Sequence, residues 1–303
     1  MIVTGLCKVI PTFNARGEIK ENYNLSHLIW FKVGGPAQVF FKPEDASDLK
    51  DLLQQNAAKL PITVLGAGSN TIIRDGGIDG IVIKLGRNFT NIELQGDHIK
   101  VGASSLNLNL AKFCLNNSIK GFEFLVGIPG TIGGGVTMNA GAYGKEFKDI
   151  LANVEVMTYA GEVLNIPASD IKFSYRTANL PQDYIITSAA FKAKRGDSQK
   201  ISNLMDEINL KRASTQPIKE KTSGSTFANP ENYKAWELID KAGLRGYRIG
   251  GASMSELHCN FMINDGSACA KDLEQLGEYV RAQVFEKYGV TLEWEVKRIG
   301  KYA

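Results

Sequence analysis

Apolar residues fall along this chain in blocks of two kinds. Residues 37–41 (AQVFF), 62–65 and 81–85 are near-continuous apolar runs bounded by Gly or Pro, the pattern of strands buried on both faces. Residues 44–58 instead place Ala46, Leu49, Leu52 and Leu53 at helical spacing, which predicts a helix after Pro43. Residues 92–94 and 99–101 flank Gln95-Gly96-Asp97 and predict a hairpin, and 105–117 return to helical spacing with Leu106, Leu110, Phe113 and Cys114 on one side. Further on, 154–159, 163–166 and 184–191 read as strands, and 201–212 and 272–288 as helices. Near the end, Leu292, Trp294 and Val296 alternate with Glu293, Glu295 and Lys297. A strand over 291–299 therefore sends three apolar side chains to one face and two carboxylates to the other. The elements mix irregularly instead of repeating as βαβ units, so the predicted class is α+β.

A polar junction at 194–200 (KRGDSQK) marks a domain boundary, and 303 residues leave room for about two domains at the usual ~100–200 residues each. The expected division is an N-terminal extension over 1–24, a first domain over 25–196 in two subdomains, and a second over 197–303. A net charge of +3 from scattered basic residues gives no nucleic-acid footprint. Cys7, Cys114, Cys259 and Cys269 form no C-x-x-C pair, and with His27, His98 and His258 they show no zinc-ligand spacing, so no metal is expected and the thiols read as reduced. The first twenty residues lack the apolar core of a signal peptide and no run approaches the ~20 apolar residues of a membrane span. These features predict a cytoplasmic protein without membrane insertion; a monomer is expected, although nothing in the sequence fixes the oligomeric state.

Glycine changes the picture most. Of 31 glycines, six lie within 66–86 and eight within 121–144. The first segment, GAGSN at 66–70, follows an expected strand but lacks the third glycine of G-x-G-x-x-G, since position 71 is Thr, so it is not a Rossmann fingerprint. Such small residues either form an ordinary tight turn or converge backbone N–H groups on phosphate oxygens. The second segment, GFEFLVGIPGTIGGGVTMNAGAYG, is too glycine-rich to predict a regular helix. Neither segment carries a P-loop. Together they suit an elongated ligand with a pyrophosphate and a flat ring.

GAGSN, GIPGTIGGG with MNAGAYG, Tyr175-Arg176, GSTFANP at 224–230 and LEWEV at 292–296 occur in the order seen in the UDP-N-acetylenolpyruvoylglucosamine reductases, and the chain resembles that family over roughly residues 20–300. The resemblance implies an FAD-binding domain of the vanillyl-alcohol-oxidase/p-cresol-methylhydroxylase type followed by a C-terminal α+β substrate-binding domain. The chain is similar to the shorter class, which lacks an inserted clamping loop with a Tyr. It further implies non-covalent FAD, NADPH as co-substrate, and reduction of UDP-N-acetylglucosamine enolpyruvate to UDP-N-acetylmuramate in peptidoglycan synthesis.

Carried onto this sequence, the family's catalytic positions are Arg176, which suits a carboxylate; Ser225, proton donor to the enolate carbon; and Glu295, donating a hydrogen bond to the enolate oxygen if protonated. Cofactor contacts fall on Gly66, Gly68, Ser69, Asn70, Gly127, Gly130, Thr131, Gly133, Gly134, Asn139, Gly141 and Ala142, and substrate contacts on Tyr175, Arg212 and Asn229. Three positions depart from the family pattern: Trp294 stands where many members have Pro, Ala178 where many have Ser, and Thr215 where Lys is frequent. The diphosphate charge would then come from Arg212 or Lys211, and His258 reads as structural. An oxygen-dependent relative of the same flavin fold often holds its flavin through His or Cys, which the glycine segments lack. A flavin- or nucleotide-binding module without turnover would have no need of Arg176, Ser225 and Glu295 together. A serine hydrolase is excluded by the missing G-x-S-x-G.

Overall fold

The computed structural model describes residues 13–57 and 59–303; Cys7, and Ala58 at the end of the first expected helix, lie outside the described residues. Its strands include β1 (Glu18–Asn24), β2 (Pro36–Lys42), β3 (Ile62–Val64), β4 (Thr71–Ile73), β5 (Ile78–Ile83), β6 (Ile92–Gln95) and β7 (His98–Gly102). Its helices are α1 (Ala46–Gln55), α2 (Asn107–Asn116), α3 (Ile132–Thr137), α4 (Ser198–Thr215), α5 (Ala235–Lys241) and α6 (Ala270–Tyr288).

The first sheet runs β1-β2-β5-β3, with β1 antiparallel to β2 and the other pairs parallel. Alternation splits its side chains between two cores. Val39 and Phe41 of β2 join Ile81 and Ile83 of β5 in one apolar cluster, whereas Phe40 joins Ile78 and Val82 in the other. A pairing irregularity between Ala37 and Val39 turns Ala37 to the second core as well. Burial on both faces is why these strands read as near-continuous apolar runs.

A five-stranded antiparallel sheet, in the order Val163–Pro167, Leu151–Thr158, Tyr184–Lys192, β7, β6, packs with α1 and α2 around the first core. Ile201, Met205 and Ile208 of α4 enter the same core. The second core joins Ile29, Phe31, Ile72 and Ile73 to Leu238 and Ile239 of α5, to Leu273, Leu276, Val280 and Val284 of α6, and to Leu292 and Val296. The chain end returns to the N-terminal half, where Lys297–Ile299 pairs in parallel with β4.

Four features depart from the expectations. The end of the expected N-terminal extension is β1, an edge strand of the first sheet. The α4 helix, expected to open the C-terminal domain, packs on the first core instead. A helix does form in the glycine-rich segment: α3 is capped by Thr131 Oγ1, which accepts from the Gly134 N–H at 3.4 Å. Its glycines follow from close packing, since a Cβ on Gly135 would sit 2.3 Å from the ring of fully buried Phe147. Of the strand expected over 291–299, only Lys297–Ile299 is regular; Trp294 makes a single bridge to Phe227, and Leu292 and Val296 are buried as the alternation required.

Candidate active site

Side-chain-poor backbone from the two glycine segments faces the loop 222–225 across a cleft of about 870 Å³. That lies toward the upper end of small-molecule sites, roughly 300–1,000 Å³. Gly66, Gly68, Ser69 and Asn70 line it from the first segment, and Gly127, Gly130, Thr131, Gly133, Gly134, Gly141 and Ala142 from the second. Ser69 Oγ ties the two segments together by donating to the Pro129 carbonyl at 3.0 Å, and Asn107 Nδ2 of α2 holds the second by donating to the Ile128 carbonyl at 3.1 Å. Behind the first, Lys84 Nζ donates to the Gly66 carbonyl at 2.5 Å, and burial lowers the pKa of this amine.

Arg176, Ser225 and Glu295 all line this cleft. Arg176 occupies the two-residue turn between the strands Lys172–Ser174 and Thr177–Asn179, at φ 54°. A left-handed conformation costs a side-chain-bearing residue about 1–2 kcal/mol. Here it accompanies an ion pair: Arg176 Nε donates to Glu295 Oε1 at 2.8 Å, with the side chains 26% and 14% exposed. One of five guanidinium N–H groups is used, so the outer fork is open to a second carboxylate. Burial, with the Glu295 carboxylate nearby, raises the pKa of the neighbouring Tyr175 phenol.

Ser225 and Glu295 sit on adjacent stretches of one irregular ladder. The Thr226 N–H donates to the Asn260 carbonyl (2.7 Å) and the Glu295 N–H to the Thr226 carbonyl (2.9 Å). Buried Asn260 accepts from the Phe227 N–H at 3.0 Å and donates to the Phe227 carbonyl at 2.8 Å, standing in for a strand neighbour. Asn70, expected as a cofactor contact, lines the cleft but spends its Nδ2 on the Glu295 carbonyl at 3.1 Å, tying the first glycine segment to the Glu295 strand.

Three expected contacts lie elsewhere. Asn139 is fully buried and absent from the lining. Its Nδ2 donates to Glu146 Oε2 and the Ser174 carbonyl, and its Oδ1 accepts from the Lys148 N–H, so its polar atoms are consumed in holding the hairpin that carries Arg176. Tyr175 and Asn229 line a second cleft of about 480 Å³, which shares Gly141, Ala142 and Arg176 with the first. Asn229 also accepts from the Ala235 N–H at 3.0 Å, fixing the start of α5. Arg212, in the last turn of α4, lines the main cleft. It bonds Gln216 Oε1 at 3.2 Å and the Val126 carbonyl at 3.5 Å, with no carboxylate partner among the described residues, and burial lowers its pKa.

Sequence reasoning missed three further residues. Asn107 Oδ1, Thr222 Oγ1 and Ser223 Oγ are buried on the cleft wall without a hydrogen-bond partner among the described residues. Buried polar atoms are rarely left orphaned, so these are sites for ligand groups or water. A glycine-walled cleft with unpartnered acceptors and hydroxyls fits a dinucleotide cofactor with a diphosphate, ribityl hydroxyls and a polar ring edge. Thr222 and Ser223 fall within a loop already marked by Ser225, whereas nothing in the sequence around Asn107 distinguishes it from a helix-start residue.

Comparison with known proteins places this geometry. Residues 37–167 match an FAD binding domain, and residues 216–299 match the domain described as UDP-N-acetylenolpyruvoylglucosamine reductase, C-terminal domain. The UDP-N-acetylenolpyruvoylglucosamine reductase of Rickettsia massiliae (strain Mtu5) is 66% identical over 95% of this chain and 97% of its own length. The chain belongs to the UDP-N-acetylenolpyruvoylglucosamine reductase family. The reductase of Rickettsia akari (strain Hartford) is 64% identical over 97% of this chain and 99% of its own. Among solved structures, the reductase of Thermus caldophilus superposes with a TM-score of 0.82 at 35% identity, covering 94% of this chain and 99% of that one. The fold class is therefore α+β, an FAD binding domain followed by the reductase C-terminal domain.

Proposed function

We infer that this chain is an FAD-containing, NADPH-dependent oxidoreductase that reduces the enolpyruvyl group of UDP-N-acetylglucosamine enolpyruvate, giving UDP-N-acetylmuramate for peptidoglycan. The observation that carries the reading is the convergence of Arg176, Ser225 and Glu295 on the one cleft walled by both glycine segments. FAD held by the two glycine segments with Asn107, Thr222 and Ser223 would supply the two-electron chemistry between NADPH and the enolpyruvyl methylene carbon. The chain's own residues handle charge and protons. Negative charge develops on the neighbouring carbon and its carboxylate, and the open fork of Arg176 neutralises it. The Ser225 hydroxyl, which makes no hydrogen bond to another described side chain, gives its proton to that carbon and is reprotonated from water. Glu295 holds the Arg176 guanidinium and, when protonated, donates to the enolate oxygen.

Arg212 is the diphosphate partner in this reading, supported by its unpaired charge on the cleft wall. Tyr175 and Asn229 would hold the sugar nucleotide where the second cleft meets the first. The domain division is drawn after α4, near residue 216, because α4 shares the first core. We place the enzyme in the cytoplasm as a monomer. No helix among the described residues is long and apolar enough to cross a membrane, and Cys114, Cys259 and Cys269 are free.

The test separates the half-reactions. In Ser225→Ala, NADPH should still bleach the flavin anaerobically, while reoxidation by the enolpyruvyl substrate slows by about 10²–10⁴, the range of a lost general acid. Reoxidation at the wild-type rate would remove Ser225 as the proton donor.

A further inference from the structure

Glu295 sits in a strand with little regular pairing, yet its neighbour Trp294 is held from four sides. The indole Nε1 donates to Glu278 Oε1 of α6 at 2.8 Å, and the ring centroid lies 5.1 Å from that of Phe227. The Arg298 guanidinium stacks 4.3 Å over the indole and donates to the same Glu278 Oε1 at 2.8 Å. On the fourth side the ring presses on the α6 backbone at Gly277, where a Cβ would lie 2.1 Å from the indole carbon Cη2. Glycine is disfavoured in a helix interior by about 1 kcal/mol against Ala, and at position 277 it clears the space that the indole fills. Glu278 also receives Arg281 at 2.6 Å, and Arg281 Nε donates to the Leu292 carbonyl at 2.7 Å, so α6 grips the strand on both sides of Glu295.

We propose that Gly277, Glu278 and Trp294 form a clamp that positions Glu295 against Arg176, an inference that rests on the reading of Glu295 given above. Successive strand residues point to opposite faces, so an indole locked against α6 fixes the direction in which the Glu295 carboxylate leaves the backbone. The same lock acts on the other reacting side chain. Trp294 pairs with Phe227, two residues beyond Ser225, and the Glu295 N–H bonds the Thr226 carbonyl. Displacement of the indole therefore shifts both Glu295 and the Ser225 strand. Misplacement by about 1 Å near reacting groups costs up to about 10²-fold in rate.

The experiment follows the flavin of the holoenzyme through both half-reactions by anaerobic stopped flow. Gly277→Ala should slow reoxidation at saturating enolpyruvyl substrate about tenfold, leaving flavin content and NADPH-driven bleaching unchanged, a split that general unfolding would not produce. The cost should depend on the indole: measured in a Trp294→Phe background, whose ring lacks the obstructing carbons, Gly277→Ala should cost less than twofold. Equal costs in both backgrounds, or unchanged reoxidation in Gly277→Ala, would overturn the clamp. Should Gly277→Ala not fold, Glu278→Ala and Glu278→Gln serve, because Gln keeps the acceptor for the indole. Slow reoxidation with Ala and recovery with Gln is the expected pair, and wild-type behaviour of Glu278→Ala contradicts the proposal. Glu295→Ala, run alongside, separates the levels: normal reoxidation there defeats the reading of the site and the clamp with it, whereas slow reoxidation there with normal clamp variants defeats the clamp alone.

Discussion

Replacing Asn107 by Leu tests the cofactor site at a residue with no sequence signature. Its side chain is 1% exposed; Nδ2 donates to the Ile128 carbonyl at 3.1 Å, and Oδ1 has no partner among the described residues. Its own N–H also bonds the Gly130 carbonyl at 3.0 Å, a backbone contact that Leu retains. In the apoprotein the substitution removes one neutral hydrogen bond, about 1 kcal/mol, and also removes an unsatisfied buried oxygen, so the two changes offset and stability should move by under about 1 kcal/mol. If Oδ1 accepts from a hydroxyl of the bound cofactor, as its lack of a partner implies, Leu would leave that hydroxyl unpaired as well as freeing the Ile128 loop. Two effects of about 1 kcal/mol each weaken binding by about 2 kcal/mol, or roughly 30-fold in Kd. The assay is titration of apoprotein with FAD by flavin fluorescence, paired with urea unfolding of the apoprotein. A Kd within twofold of wild type would refute the assignment of Oδ1 to the ligand, and a fall in apo stability as large as the loss of binding would reduce Asn107 to a fold residue.

Other expectations follow from single contacts. Gly135→Ala should lower stability by about 1–3 kcal/mol, since Phe147 is held edge-on between Phe124 and Phe191 and has no room to move; an unchanged Tm would contradict the packing argument. His258 is kept neutral by burial, its pKa lowered, with its Nδ1 accepting from the Asn260 N–H at 3.3 Å. Its contribution to stability is therefore complete above the ordinary His value near 6.5 and declines as pH falls from there toward the folded-state pKa. The stability gap between wild type and His258→Phe should shrink on going from pH 7.5 to pH 5, and a gap constant with pH would contradict it. Arg212→Met should leave flavin spectra intact and raise the KM for the UDP-sugar several-fold in high-salt-sensitive fashion; an unchanged KM would take the diphosphate away from Arg212.

Much of the site was legible in the sequence because its backbone has to be bare. Glycine segments that admit a cofactor advertise themselves by composition, and Ser225, Arg176 and Glu295 stand in motifs compact enough to recognise. The two-sided burial of β2 and β5 was likewise visible as near-continuous apolar runs. What escaped depends on distant partners. Asn139 sits in the right motif, yet three hydrogen bonds to Glu146, Ser174 and Lys148 turn it from ligand to scaffold. A segment as glycine-rich as α3 has low helix propensity and forms through its Thr131 cap and its packing on Phe147, neither of which local periodicity encodes. The strand over 291–299 kept its alternation of faces but not its regular pairing, because its neighbour is the short 225–228 ladder and not a sheet. A polar junction precedes α4, yet Ile201, Met205 and Ile208 of the helix pack in the first core, a contact that local composition does not encode.

In the function proposed above, one cleft takes electrons from NADPH and delivers them to an enolpyruvyl sugar nucleotide. The most direct measurement is the visible spectrum of the purified, FAD-loaded protein under anaerobic conditions, first with NADPH and then with UDP-N-acetylglucosamine enolpyruvate. The protein should be yellow, bleach with NADPH and regain its colour on addition of the enolpyruvyl substrate, with UDP-N-acetylmuramate formed in equal amount. A protein that takes up no FAD, or whose bleached flavin is not reoxidised by that substrate, would contradict this function.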